Sequence, residues 1–330
     1  MTLTVKVDDR IRLMSALLAM TTWPMQEQDE KPRGIHAHAR ATRQHLREFE
    51  DHPAVLTMQE LLESGRTLDS IFSYVTCLQW PGLRARSKDR PDWAPADWSQ
   101  QMRDLMFSSR LQDFWGEPDE GPWYDAEQQA HHAVDAVDMR PLLSEFFTRV
   151  PDEMILHPNI SFPTGQAVAF RWGKRLFAAV PPQIAWGNNP PWPYDEDPAY
   201  TQGEAFGAYA RTLLRAELKR FPEQVETASQ ETLPVPNAFR AKFPEWFDQF
   251  AVLFISGLTT IYLEETLGPA ESKAYVVMAH KAHGFDVLPA VVDVLSRYRQ
   301  QHAEGKFGAF GEYLTAFQRA LRVTQRLKNL

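Results

Sequence analysis

The segment from Phe243 to Leu267 is apolar on nearly every side of a helical projection, and it constrains the fold more than any other segment. A helix that is hydrophobic all round is buried in a core or spans a membrane. Its longest apolar run, Phe250 to Leu258, is interrupted by Ser256 and Gly257 and is much shorter than the roughly 20 residues that cross a bilayer. We therefore predict a buried core helix here.

Helical spacing of apolar residues dominates the chain up to Val150. Asp8 and Asp9 are cap candidates for a first helix of about three turns. The last helix of this region, from Asp125 to Val150, should be broken or kinked at Pro141 because the proline ring removes a backbone donor. The sequence thus predicts a helical N-terminal lobe, residues 1–150.

The pattern changes to that of strands after this lobe. The run from Met154 to Ile160 predicts a strand, and the run from Ala167 to Val180 predicts a hairpin with Gly173 and Lys174 at its turn. Helices follow from about Thr201 onward. This order predicts an α+β fold that is mostly helical, with a small antiparallel sheet or hairpin before the helix near Thr201. We expect residues 151–330 to form the second lobe, joined with the first in one compact unit.

Composition and charge argue against two classes of partner. The chain has 330 residues, of which 24% are charged and 44% hydrophobic, as in an ordinary globular protein. With 35 Lys and Arg against 43 Asp and Glu the formal charge is −8, so neither nucleic acid nor a membrane surface is expected as a partner. We predict that the single cysteine, Cys77, is a buried and inert thiol. Together with the absence of a signal-peptide pattern in MTLTVKVDD, it favours a cytoplasmic location.

The proline-rich loop from Pro181 to Tyr200 carries candidate ligand-binding aromatics just before a predicted helix N-terminus. Trp186, Trp192 and Tyr194 are placed to line a cleft at that helix. The alternative is that these rings only pin a long loop onto the body of the protein.

Two other groups of residues leave further alternatives open. His280 and His283 lie at i and i+3 on one helix face, so with a distant acid they would supply the ligands of an active metal-dependent hydrolase. Our preferred interpretation of the pair is an ordinary helix C-terminus, where these histidines favour the helix dipole. A basic stripe near the end of the chain, made of Arg319, Arg322 and Arg326, would suit a helical interaction protein with an acidic partner.

Two N-terminal segments resemble a known family. VDDRIRLMSALLAM and HARATRQHLREFEDHPAVLTMQELLESGRTLDSIFSYVTCL are similar to a bacterial family of zinc-metallopeptidase-like (gluzincin-like) domains of unknown function. A weaker likeness continues through the hairpin, an apolar helix near Trp246 and the segment GFDVLPAVVDVLSRYRQ. The resemblance covers most of the chain and implies a metallopeptidase-like α+β fold with an HExxH helix.

The motif that gives this family its chemistry is degenerate in this chain. In HExxH two histidines bind zinc on one helix face, and the glutamate is the general base for the metal-bound water. At the matching place this sequence reads GEAFG, with Gly203 and Gly207 in the positions of the histidines and only Glu204 retained. The third, acidic ligand of the family would fall near Asp248. The resemblance therefore implies zinc in the family, but no metal or other cofactor here, because too few ligands remain.

We therefore expect a catalytically silent zinc-metallopeptidase-like protein whose residual cleft binds a peptide or small ligand. Glu204 is the one candidate catalytic residue. An acid in the first turn of a helix also favours the helix dipole, so a capping role is its alternative.

Overall fold

In a computed structural model of the chain, helices account for about 62% of the residues and strands form a small sheet. The structure describes residues 3–24, 34–85, 90–117, 119–135, 137–161, 167–185, 187 and 189–328. The helices are α1 (Asp9–Met20), α2 (Ala37–His45), α3 (Pro53–Glu63), α4 (Leu68–Ser73), α5 (Trp98–Ser108), α6 (Leu111–Trp115), α7 (Gly121–Ala133), α8 (Arg140–Phe146), α9 (Pro198–Leu218), α10 (Pro222–Ser229), α11 (Asn237–Lys242), α12 (Trp246–Thr266), α13 (Pro269–His283), α14 (Leu288–Ala303) and α15 (Phe310–Lys328). The strands are β1 (Thr4–Val5), β2 (Leu78–Gln79), β3 (Arg84–Ala85), β4 (Glu153–Pro158), β5 (Val168–Trp172) and β6 (Arg175–Val180).

Helix α12 is the apolar helix that the sequence predicts. Among the described residues it is the one helix long and apolar enough to cross a membrane, yet 72% of its most apolar window is buried within the protein. That degree of burial is typical of a core helix, so the predicted buried helix is confirmed.

The main sheet has the strand order β1-β4-β6-β5. The predicted hairpin is confirmed: β5 and β6 are antiparallel, and Gly173 at their turn has a φ of +59°. Contrary to the prediction, the other strand pairs of the sheet are not antiparallel, because β4 runs parallel to both β1 and β6. Periodicity reveals strands but not such long-range partners, and β1 is too short to give a pattern.

The helix predicted from Asp125 to Val150 is two helices. Helix α7 ends at Ala133, and α8 begins at Arg140 with Pro141 in its first turn. A proline there costs no hydrogen bond, because the first backbone N–H groups of a helix have no intrahelical partner. The predicted helix is thus broken, but the break lies before the proline: Pro141 starts a second helix instead of kinking the first.

The chain divides into two compact units. The first contains Met1–Val137 and Asp152–Ala205, and the second contains Asp138–Pro151 and Phe206–Leu330. The sheet therefore belongs to the same unit as the N-terminal helices, whereas the sequence pattern predicted a boundary between the lobes after residue 150.

Each unit has its own apolar core. In the first, α1, α3 and α4 pack with the inner face of the sheet, where Leu17, Phe72 and Phe177 are buried. In the second, aromatic rings dominate: Phe254 contacts Phe250 and Phe310 at centroid distances of 5.6 and 4.5 Å.

Candidate ligand-binding site

The first unit contains a buried arginine with an unused hydrogen-bonding edge. Arg12 is 6% exposed within α1, and its Nη1 donates to Asp9 at 2.9 Å. Its Nε and Nη2 are buried and have no hydrogen-bond partner among the described residues. Burial lowers the pKa of Arg12, but a guanidinium keeps its proton in proteins. The structure thus holds a buried positive charge with two unsatisfied donors.

Two indole rings surround this charge. The guanidinium carbon of Arg12 lies 4.2 Å from the ring centre of Trp115 and 4.8 Å from that of Trp123. The rings attract the cation through their π faces, by about 2 kcal/mol for a desolvated contact. They do not use its N–H groups, so the Nε–Nη2 edge stays available. The indole Nε1 of Trp115 is itself buried and has no partner among the described residues.

His157 on β4 adds another buried donor. The backbone N–H of Asp8, one helical turn before Arg12, donates to its Nδ1 at 3.0 Å. Burial lowers the pKa of His157 from 6.5 to about 4, so the ring is neutral at neutral pH and carries a single proton. Nδ1 also lies 3.2 Å from the carbonyl oxygen of Lys6, and with the shorter contact to Asp8 assigned as the hydrogen bond the proton resides on Nε2. This Nε2 is buried and unpartnered within the described part of the chain.

Asn159 presents a buried acceptor two residues after His157. The hydroxyl of Ser15 donates to the carbonyl of Ile11 at 2.8 Å, so its oxygen accepts from Nδ2 of Asn159 at 2.7 Å. That assignment leaves Oδ1 of Asn159 buried and without a partner in the described residues. The hydroxyl of Ser161 is likewise buried and has no hydrogen-bond partner in the described residues, and 1% of this residue is exposed.

We call Arg12, Trp115, His157, Asn159 and Ser161 the Arg12 cluster. Contacts along α1 hold it together: Asp8 binds His157, and Ser15, which shares a helix face with Arg12, binds Asn159. The unused groups comprise four N–H donors, one amide oxygen and one hydroxyl. A buried polar group without a partner costs free energy, and a buried charge costs more. The unpartnered atoms of the cluster therefore carry a free-energy cost that hydrogen bonds to an acceptor-rich group would offset.

The aromatic residues predicted to bind a ligand do not form one exposed surface. Tyr194 is 2% exposed, and its hydroxyl donates to the carbonyl of Val180 at 2.7 Å and accepts from the N–H of Asn159 at 2.8 Å. It therefore pins the proline-rich loop to the end of β4. Trp192 is 43% exposed, and Trp186 lies outside the described residues.

The residues of the degenerate motif lie on α9. Glu204 is half-buried and has an interaction partner, so it is not a free base. A Cβ built on Gly207 would lie 3.4 Å from Ile255 and 3.5 Å from Thr259. Both distances are ordinary van der Waals contacts, so α12 packs against this glycine. Asp248 is exposed in the first turn of α12.

The alternative sites are engaged at the surface. Nδ1 of His280 lies 2.6 Å from a carboxylate oxygen of Asp286, while the side chain of His283 is outside the described part of the structure. Within the described residues no group of three His, Cys, Asp or Glu is placed to hold a metal ion. In the basic stripe, Arg322 pairs with Glu231 at 2.8 Å, and Arg319 and Arg326 are exposed.

A surface cleft of about 620 Å³ opens beside the N-terminus of α1. Trp80, Trp172, Lys6 and the ion-paired Asp8 and Arg10 are among its lining residues. Arg10 also lies over Trp172 and donates to the carbonyl of Leu78. Asp8 and Arg10 thus neutralise each other, whereas two nitrogens of the Arg12 guanidinium have no partner among the described residues.

The sequence contained a signal for this cluster that spacing arguments overlooked. Arg12 interrupts the apolar run of α1, whose residues Ile11–Ala19 are all buried. His157, Asn159 and Ser161 alternate with apolar residues in ILHPNIS, so a strand places the first two on one face. Polar residues on the inward face of a strand, opposite an arginine in an apolar helix, are the pattern to look for.

No family model matches the chain, and no curated protein or solved structure is significantly similar to it.

Proposed function

We propose that this chain is a catalytically silent zinc-metallopeptidase-like protein that binds a small ligand or peptide, and that the Arg12 cluster carries the binding. The observation on which this rests is the buried Nε–Nη2 edge of Arg12, which lacks a partner among the described residues. A buried cation without a full set of partners costs stability, and a bound acceptor would offset that cost.

Loss of catalysis is the second part of the proposal. Glycines stand at both histidine positions of the motif, and the side chains of Ile255 and Thr259 occupy the space beside Gly207. Glu204 then has no metal-bound water to activate. A cytoplasmic location completes the proposal, in line with the single buried Cys77.

The binding part is tested with a fragment panel of anionic, neutral and cationic compounds, screened by thermal shift. We expect at least one fragment to raise the Tm of the wild type but not that of Arg12→Lys, which keeps the charge and loses the planar edge. Arg110→Lys is the matched control, because Arg110 is exposed and pairs with the exposed Asp113. A panel in which every hit stabilises both arginine variants alike would refute the assignment.

The catalytic part is tested with a mixed peptide substrate and added zinc. We expect no hydrolysis above background and no difference between the wild type and Glu204→Gln. Turnover that disappears in Glu204→Gln would show an active peptidase and overturn the proposal.

A further inference from the structure

The Arg12 cluster specifies the chemistry of its ligand more closely than the proposed function does. We infer that it binds a carboxylate that has an uncharged hydrogen-bond donor on the neighbouring atom, as in an α-hydroxy acid or an N-acylated amino acid. This inference rests on the proposed function, because it deepens the assignment of the same site.

The carboxylate follows from the geometry of the unused donors on Arg12. Nε–H and Nη2–H point in parallel from one edge of the guanidinium, and that pair matches the two oxygens of a carboxylate. The other edge is already used, since Nη1 binds Asp9. Asp9 is about one-third exposed, so its charge is partly screened by solvent and compensates the buried cation incompletely.

The remaining donors extend the same preference. Nε2–H of His157 is buried on the strand that faces α1, and the ring centre of His157 lies 5.8 Å from that of Trp123, which also contacts Arg12. The indole N–H of Trp115 is buried as well. The cluster has more unused donors than acceptors and carries one positive charge. It therefore favours an anionic ligand over a neutral amide.

The neighbouring donor of the ligand follows from Asn159. Its Oδ1 is an unused acceptor, and its Nδ2 is fixed on Ser15, one helical turn after Arg12. Asn159 and His157 thus bracket Arg12 along α1, and Oδ1 of Asn159 is the unused acceptor that an N–H or O–H next to the carboxylate would bind. One acceptor suits one N–H or O–H. An ammonium group has three donors and a charge that Arg12 repels, so a free amino acid fits less well.

Four probes separate these features in calorimetric titrations. Glycolate and N-acetylglycine carry both the carboxylate and the uncharged donor, acetate carries only the carboxylate, and N-acetylglycinamide carries no charge. We expect glycolate or N-acetylglycine to bind the wild type about tenfold more tightly than acetate, a ratio typical of one added hydrogen bond, with no measurable binding of N-acetylglycinamide. The stronger of the two binders identifies the class, a hydroxy acid or an acylated amino acid.

Variants show whether the binding uses Arg12. Asp9→Asn removes the carboxylate, about one-third exposed, that partly neutralises the guanidinium, so carboxylate affinity should rise about threefold, as expected for a partly screened charge. Asp113→Asn removes the equivalent i, i+3 partner of the exposed Arg110 and should leave affinity unchanged. Arg12→Lys should weaken binding about tenfold or more. Because Asp9 is at the surface, its variant remains informative if Arg12→Lys fails to fold.

The outcomes separate this inference from the proposed function. Equal binding of N-acetylglycinamide and N-acetylglycine, or an Asp9→Asn variant that behaves like Asp113→Asn, overturns the carboxylate assignment while the site remains a binding site. Binding of acetate as tight as that of glycolate and N-acetylglycine overturns the role of the neighbouring donor. If none of the four probes binds, the inference is wrong. If the fragment panel also gives no Arg12-dependent hit, the proposed function fails too.

Discussion

Arg12 and His157 are the residues whose burial has the largest chemical consequences. Both are charged or chargeable groups at positions where an apolar residue would pack more simply. Arg12 keeps its charge inside the protein, whereas His157 responds to the same burial by remaining neutral. The difference follows from their ordinary pKa values, because only that of histidine is close enough to neutrality for desolvation to remove the proton.

The pKa of His157 predicts a loss of stability in mild acid. Its pKa falls from 6.5 to about 4 on folding, so between these values the unfolded chain binds the proton and the folded chain does not. Stability is therefore full above about pH 6.5 and is lost as the pH falls toward 4. For His157 alone we expect a loss of about 2 kcal/mol in the free energy of unfolding between pH 7 and pH 5.

Urea unfolding at both pH values measures this loss. His157→Asn keeps an acceptor near the Nδ1 position for the N–H of Asp8 and removes the titrating group, so its pH dependence should be flatter. His38, whose pKa burial also lowers to about 4, leaves a residual slope in that variant. Identical pH slopes for the wild type and His157→Asn would contradict the buried neutral imidazole.

A close approach at Gly311 gives a second prediction at the scale of single residues. A Cβ there would lie 2.1 Å from the ring of Phe221, which is far inside contact distance. Gly311→Ala should therefore destabilise the protein by about 1–3 kcal/mol through overpacking, despite the better helix propensity of alanine. Gly308→Ala is the control, because its Cβ would meet Glu312 only at 3.5 Å. Equal Tm values for the two variants would rule out the tight contact.

At the scale of elements, the contact between α9 and α12 limits what can replace Gly207. A Cβ on Gly207 would lie in ordinary van der Waals contact with Ile255 and Thr259 of α12. A side chain larger than that of alanine extends beyond this contact and is expected to displace its neighbours.

Substitutions at Gly207 test this packing. Gly207→Ala should be neutral or stabilising by up to about 1 kcal/mol, because the Cβ fits and alanine favours a helix. Gly207→His should lower stability by about 1–3 kcal/mol, because the ring overfills the same space. Thermal unfolding of the two variants compares them directly. A histidine variant as stable as the alanine variant would mean that an open space remains beside α9.

The sequence predicts those elements whose periodicity is local. Asp8 caps α1 as expected, and Gly65, with a φ of +80°, follows the end of α3. The hairpin and α12 are likewise set by the spacing of their own residues. The parallel pairing of β4 with β6 depends on contacts between distant segments, so the local pattern carries no information about it. The Arg12 cluster was missed for the same reason, since α1 and β4 meet only in the folded chain.

At the scale of the whole molecule, the candidate residues are divided between the two units. Glu204 and the Arg12 cluster belong to the first unit, whereas Gly207 and His280 belong to the second. The proposed binding site is complete within the first unit. A ligand bound there should therefore stabilise the first unit directly, and hydrogen exchange should show the protection concentrated in α1 and β4.

Calorimetric titration of N-acetylglycine into the wild type and Arg12→Lys, with the probe recovered and identified by mass spectrometry, tests the central claim most directly. The account predicts one site per chain, affinity about tenfold weaker in Arg12→Lys, and a probe returned intact. Equal affinity for both proteins would remove the Arg12 cluster as the binding site. Recovery of glycine and acetate would mean that the chain hydrolyses amides and is not catalytically silent.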